Sequence, residues 1–186
     1  VSAAIFANFS SFIQMFILIA SVNLLFLSKN FIYIFSILIS ALIIGVYFLK
    51  REDKKKENLL ETKANLKNDR IFSLMPALKF ALLFLVIKVA TKFSLIIFGN
   101  NGFIISTILG AVTGLDAVTI NTAELAGKTI NYQTGIVTLI LANAVNLLSK
   151  SGYAFAQGSR PFAKKFLISV VIIIAFSFLG LVPFIK

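Results

Sequence analysis

At 186 residues, 59% apolar and only 13% charged, with a mean hydropathy of +0.96, the chain carries more hydrocarbon than a soluble fold of this size can hide. Its net charge of +11 would suggest nucleic acid in a soluble protein, but the basic residues gather in one loop and at segment ends, the positive-inside pattern, so nucleic acid is set aside and the lipid bilayer is the partner. Cysteine and histidine are absent, which excludes disulfides, thiolate metal sites and cysteine nucleophiles, and removes the usual general base and the commonest metal ligand.

Val1 lies in an apolar run with no basic n-region and no small-residue cleavage site, which argues against a signal peptide. A first residue other than Met leads us to expect the C-terminal part of a longer polypeptide. Six apolar segments follow. The first covers 3–27 and ends at Ser28-Lys29-Asn30; the second, 31–49, has 19 uncharged residues, enough to cross a core of about 30 Å at 1.5 Å per residue. The stretch 50–70 holds eight basic and five acidic residues and is too polar for lipid; its central part, 57–66, is expected to form a short surface helix.

Pro76, favoured in a first helical turn, opens a third segment that runs to Phe98. Gly99-Asn100-Asn101-Gly102 is a turn signal. The fourth segment, 102–115, has only 14 residues before Asp116 interrupts it, and polar residues dominate from there to Tyr132. The fifth and sixth segments are 134–156 and 166–185.

Charge sets the topology. The basic loop 50–70 belongs in the cytoplasm, which puts the N-terminus inside and the 99–102 turn outside. A full crossing by the fourth segment would then place Arg160, Lys164 and Lys165 outside. That conflict disappears if 102–132 enters the membrane and returns on the same side, as a broken or re-entrant element; a short, glycine-interrupted apolar segment is a known pointer to a discontinuous helix at a transport site. The re-entrant path is therefore favoured over a tilted full span. Ala7-Asn8 and Ala142-Asn143 each open a polar helix face, which hints at an internal repeat of about 135 residues. With the re-entrant path the copies are inverted; with a full crossing they are parallel.

Ionisable groups at bilayer depth cost roughly 2.5–3.5 kcal/mol on insertion scales and so usually face a protein interior or a wet cavity. Lys88 sits midway through the third segment, whereas Lys79 and Lys92 are placed to snorkel toward its two ends. Asp116 follows Gly110 and Gly114, glycines spaced for close backbone approach, and leads into Thr119, Asn121 and Glu124. A carboxylate there needs a partner, and Lys88 or Lys150 is the nearest chemical match. Asn143, Asn146 and Lys150 share one face of the fifth segment, and Asn8, Ser11 and Gln14 form a similar face on the first. These faces line a polar path or serve as glue between helices.

The run Pro76-Ala77-Leu78-Lys79-Phe80-Ala81-Leu82-Leu83-Phe84 resembles a signature of the uncharacterised membrane domain found C-terminal to the MgtC/SapB domain in bacterial and archaeal proteins. Asp116, Ala117, Val118 and Thr119 match the end of that family's next pattern, while Gly114 stands where the family usually has its first Asp. A carboxylate pair, if the family uses one for a cation, is thus incomplete here. Ala142-Asn143 with Lys150-Ser151-Gly152 resembles a third pattern with one mismatch in spacing, and Gly158 and Arg160 fit its short basic loop. The resemblance spans residues 1–186 and is strongest over 76–160. It implies an MgtC-like half and part of a first repeat upstream of Val1, and a loose link to magnesium or stress physiology. It brings no established activity and transfers no functional residue.

The expectation is an all-α, polytopic transmembrane helical bundle of five or six membrane segments, one domain over 1–186, multi-pass in the inner membrane. Its expected function is that of a transporter or permease for an ion or small solute, with Lys88, Asp116, Thr119, Asn121, Glu124, Asn143, Asn146 and Lys150 along the pathway. The alternative is a membrane-embedded regulatory or scaffolding module that binds another membrane protein. No catalytic residue, metal or cofactor is expected; homo-oligomerisation is left open.

Overall fold

The structure is a computed structural model that describes residues 1–53 and 74–184. The expected surface helix at 57–66 and the basic run at 54–56 lie outside the described residues. Among the described residues seven α-helices follow one another: α1 (Ser2–Val22), α2 (Leu24–Lys29), α3 (Phe31–Asp53), α4 (Leu74–Ala111), α5 (Leu115–Leu125), α6 (Tyr132–Gln157) and α7 (Arg160–Ser177), closed by a 3-10 segment, Phe178–Phe184. The described residues contain no strand, only an isolated bridge between Ala126 and Ile130. Among the described residues five helices are long and apolar enough to cross a membrane: α1, α3, α4, α6 and α7. Large apolar side chains face outward all round, among them Ile96 at 73% and Leu109 at 66% exposure, as expected where lipid replaces water. The chain is an integral, multi-pass membrane protein.

Inside the bundle, the buried stripe of α1 is Ile5, Asn8, Phe12, Met15 and Ile19, a spacing of three and four that keeps one face inward. It meets Tyr33, Ile37 and Ala41 of α3, and Ile136, Leu139 and Ile140 of α6 join the same core. The expected first segment is interrupted earlier than its composition suggests. Asn23 leaves helical geometry, and its side-chain oxygen accepts the Phe26 N–H at 2.9 Å, so the chain restarts as α2.

Contacts along the helices give their directions. Gly45 of α3 lies against the Phe6 ring, and a cavity between α3 and α7 is walled by both Arg51 and Lys165. Ala4 shares another cavity with Gly158 and Phe162. The start of α1, the end of α3, the end of α6 and the start of α7 therefore lie at one end of the bundle. At the other end Phe26 stacks on Tyr132 with centroids 6.2 Å apart, and Tyr33 packs on Gly180. The α1–α3 and α6–α7 hairpins thus run in opposite senses, the inverted arrangement.

α4 is folded on itself. Gly99 sits at φ 61°, ψ −150°, a left-handed setting that glycine adopts without a Cβ clash. It is this single residue, rather than all of 99–102, that leaves helical geometry, and 100–111 doubles back on 74–98. The Gly102 Cα then lies so near the Ser94 carbonyl and Phe98 that any Cβ would overlap them, and Gly110 lies level with Ile87. α5 reverses once more, because Val118 packs on Gly110 while Asn121 reaches Thr91. It also runs alongside α1, with Asp116 at Gln14 and Ala123 at Asn23. The element 100–125 therefore enters from the Gly99 end and returns to it, and α6 begins there.

Two outcomes follow. In this cysteine-free chain, Ser159→Cys and Arg51→Cys are expected to react with an impermeant thiol reagent from one face, and Asn100→Cys and Lys128→Cys from the other. Labelling of Ser159→Cys from the Asn100 face would overturn the re-entrant path. Gly102→Ala is expected to destabilise by about 1–3 kcal/mol, read as a lower melting midpoint in detergent, because overpacking forces the two arms apart.

Candidate functional site

Helical hydrogen bonding tapers where the re-entrant element turns. The Val112 and Thr113 N–H groups donate to Leu109 and Gly110 carbonyls at 3.4 and 3.2 Å, a tightened last turn, and the Thr113 hydroxyl donates to Gly110 O at 2.7 Å. The Ala111 carbonyl accepts from Asn146 Nδ2 at 2.9 Å. α5 then starts from Gly114 with no side-chain cap, and Asp116 stands in its first turn, where the helix dipole favours a carboxylate. Gln14 and Asn146 lie near the midpoints of α1 and α6, so the break falls at mid-depth of the bundle.

A cavity of about 310 Å³ opens at this break. Its polar lining includes Gln14, Thr113, Asp116, Asn143, Asn146 and Lys150. Gln14 Nε2 donates to Asp116 Oδ2 at 3.1 Å, and Lys150 Nζ donates to Asn8 Oδ1 at 3.0 Å. Asp116 and Lys150 do not pair with each other: among the described residues the one ion pair within 4.0 Å is Lys88–Glu124. Asn143 is 1% exposed, and neither atom of its amide makes a hydrogen bond of good geometry. The Tyr33 hydroxyl, its polar neighbour on α3, donates to the Leu139 carbonyl at 3.4 Å. A second cavity, of about 470 Å³, shares Ser11, Lys150 and Tyr153 with the first and reaches Gln157 and Gly158 at the basic end of the bundle.

Of the residues singled out in the sequence, Asp116, Asn143, Asn146 and Lys150 come together here. Lys88, Thr119, Asn121 and Glu124 line neither cavity. Lys88 does not serve Asp116. Its ammonium pairs with Glu124 at 2.7 Å and lies 5.5 Å from the Phe84 ring centroid, because the 74–98 arm passes α5 on the side that carries Asn121 and Glu124. Asn121 Nδ2 donates to Thr91 Oγ1 at 2.7 Å, and the buried Thr119 hydroxyl has no partner. Gly110 packs closely, with its Cβ position 3.3 Å from Val118, whereas Gly114 faces open space.

Thr91 and Asn23 escaped the sequence reading. Asn23 Nδ2 donates to the carbonyls of Ala123 and Ala126, both at 3.0 Å, and so holds the end of α5 while its oxygen caps α2. A lone amide interrupting the apolar run Val22-Asn23-Leu24, three residues before a helix-start N–H, was the signal available.

Since each partner of Lys88–Glu124 compensates the other, Lys88→Met and Glu124→Gln alone are expected to lower the melting midpoint more than the double variant does. Additive losses in that cycle would refute the coupling.

Comparison with known proteins adds a family but no activity. The chain is 33% identical over 97 residues, 52% of its own length and 42% of the relative's, to an uncharacterized protein of Aquifex aeolicus (strain VF5). The match thus spans less than half of that relative. No solved structure matches. Residues 1–158 match the domain of unknown function DUF4010, and the chain belongs to that family.

Proposed function

We propose that the protein is a permease for a small polar solute or ion. The observation that carries this reading is the polar cavity at the break between two half-helices, holding Asp116, Lys150 and the buried Asn143 amide at mid-depth. Discontinuous helices that leave backbone termini facing a cavity are the recurrent construction of transport sites, since non-helical backbone at membrane depth is tolerated only against protein or water. The second cavity supplies a route to the basic end through Ser11, Lys150 and Tyr153. At the opposite end α5 is clamped to α1 by Asn23, which makes the arrangement open toward one side.

The reading takes the inner membrane as the location, with Lys50, Arg51, Arg160, Lys164 and Lys165 at the cytoplasmic end by the positive-inside rule. The sequence resemblance supports an MgtC-like neighbour domain as part of the same proposal. No catalysis is included in it. One observation favours the alternative of a module docking on another membrane protein: Lys88 and Glu124 are each 40% exposed, Lys88 on the α4 face that also carries exposed Leu85, and charges at this depth are usually sheltered.

The test is flux into proteoliposomes of the purified full chain, screened with radiolabelled cations, anions and amino acids. Uptake that Asp116→Asn and Lys150→Gln each reduce by about tenfold or more is expected, given the cost of leaving a charged partner unpaired. No flux of any solute, together with a stoichiometric membrane partner on purification, would instead establish the docking module.

A further inference from the structure

Opposite charges facing one low-dielectric cavity attract more strongly than in water, so an aspartate and a lysine left to themselves would collapse into contact. Here they do not. Asp116 is held by the Gln14 amide from α1, Lys150 by the Asn8 amide from the same helix, and no ion pair forms between them. The cavity between them is walled by Asn143, whose buried amide has both a donor and an acceptor, neither in a hydrogen bond of good geometry, with the Tyr33 hydroxyl as its neighbour. Isolated charges in such surroundings are expensive, and two held apart at mid-depth form a cradle with a negative pole, a positive pole and a neutral amide between.

Charge arithmetic narrows what fits. The formal charges lining the cavity, Asp116 and Lys150, sum to zero. A lone cation would neutralise Asp116 and be repelled by Lys150; a lone anion would meet the reverse. A molecule with an ammonium and a carboxylate of its own compensates both poles at once and adds no net charge to the bilayer interior. The volume of about 310 Å³ lies at the lower limit of the ~300–1,000 Å³ of small-molecule pockets, which suits a solute of a few heavy atoms to about ten and exceeds what a bare ion needs.

Resting on the permease reading, we propose that the transported solute is a zwitterion of amino-acid size, its ammonium at the Asp116 carboxylate, its carboxylate at the Lys150 ammonium and the Asn143 amide bonding between them. Both protein charges are then paired only when the site is loaded. The empty site is the unfavourable state, and this biases the protein toward binding solutes that carry both charges.

The experiment is equilibrium binding to the detergent-purified full chain, read by ligand-induced shift of the melting midpoint and by isothermal calorimetry. The probes are glycine, L-alanine, L-leucine and L-glutamine, with the two half-charged counterparts of leucine, isopentylamine and 4-methylpentanoate. At least one zwitterion is expected to bind, and both counterparts of leucine are expected to bind at least about tenfold more weakly than leucine, because each leaves one charge of the site unserved. Asp116→Asn should weaken leucine more than it weakens 4-methylpentanoate, which has no ammonium for Asp116 to hold. The comparison of probes on the unaltered protein keeps the test decisive should either variant fail to fold. Equal affinity for leucine and either counterpart would overturn the proposal, as would flux of an inorganic ion with no zwitterion bound, which leaves the permease reading standing. Zwitterion binding without any flux would remove the permease reading and keep the site.

Discussion

Within hydrocarbon a backbone N–H or C=O has no water to turn to, and a helix can stop only where protein supplies the missing partners. The rest of this structure follows from the one place where that happens, between Ala111 and Leu115. Every neighbouring crossing contributes to the element that contains the break. Gln14 and Asn23 come from α1, Thr91 from the first arm of α4, and Asn146 from α6. Such interhelical bonds average about 0.6 kcal/mol each, so none holds the element alone. Their number matters, and so does the larger penalty for leaving the Ala111, Ala123 or Ala126 carbonyls unmet.

The same economy of amides governs the charges. Asparagine and glutamine carry donor and acceptor on one neutral group, so they position a carboxylate or an ammonium without cancelling it. Asp116 and Lys150 stay unpaired with each other, each held instead by an amide of α1, Gln14 and Asn8 respectively. Lys88 and Glu124, by contrast, meet directly at 2.7 Å and neutralise each other. Two pairs of charges on neighbouring helices thus do different work: one closes a helix contact, the other keeps a cavity polar.

The crossings were legible because they rest on composition, which needs no knowledge of packing. The conflict posed by Arg160, Lys164 and Lys165 was sufficient to reveal the return path of 102–132, and these residues lie at the Arg51 end. Partner choice was not legible. Lys88 and Asp116 looked matched by type, but the rotation of α5 about its own axis decides which of Asp116, Asn121 and Glu124 each neighbour meets, and that rotation is set by tertiary packing. Gly114 likewise read as a packing glycine, though it faces open space; spacing alone does not say which way a helix face points. Asn23 was hidden because a single amide in an apolar run looks like an interruption, and its two acceptors come from a segment a hundred residues on.

The fold at Gly99 has a bearing on compartments. A segment that goes in and comes out by the same door adds nothing to the tally of crossings, so the described chain traverses the bilayer an odd number of times, through α1, α3, the 74–98 arm, α6 and α7. Ser2 and Phe184 consequently face different aqueous phases. A reporter or partner fused before α1 and one fused after the closing 3-10 segment would never share a solution.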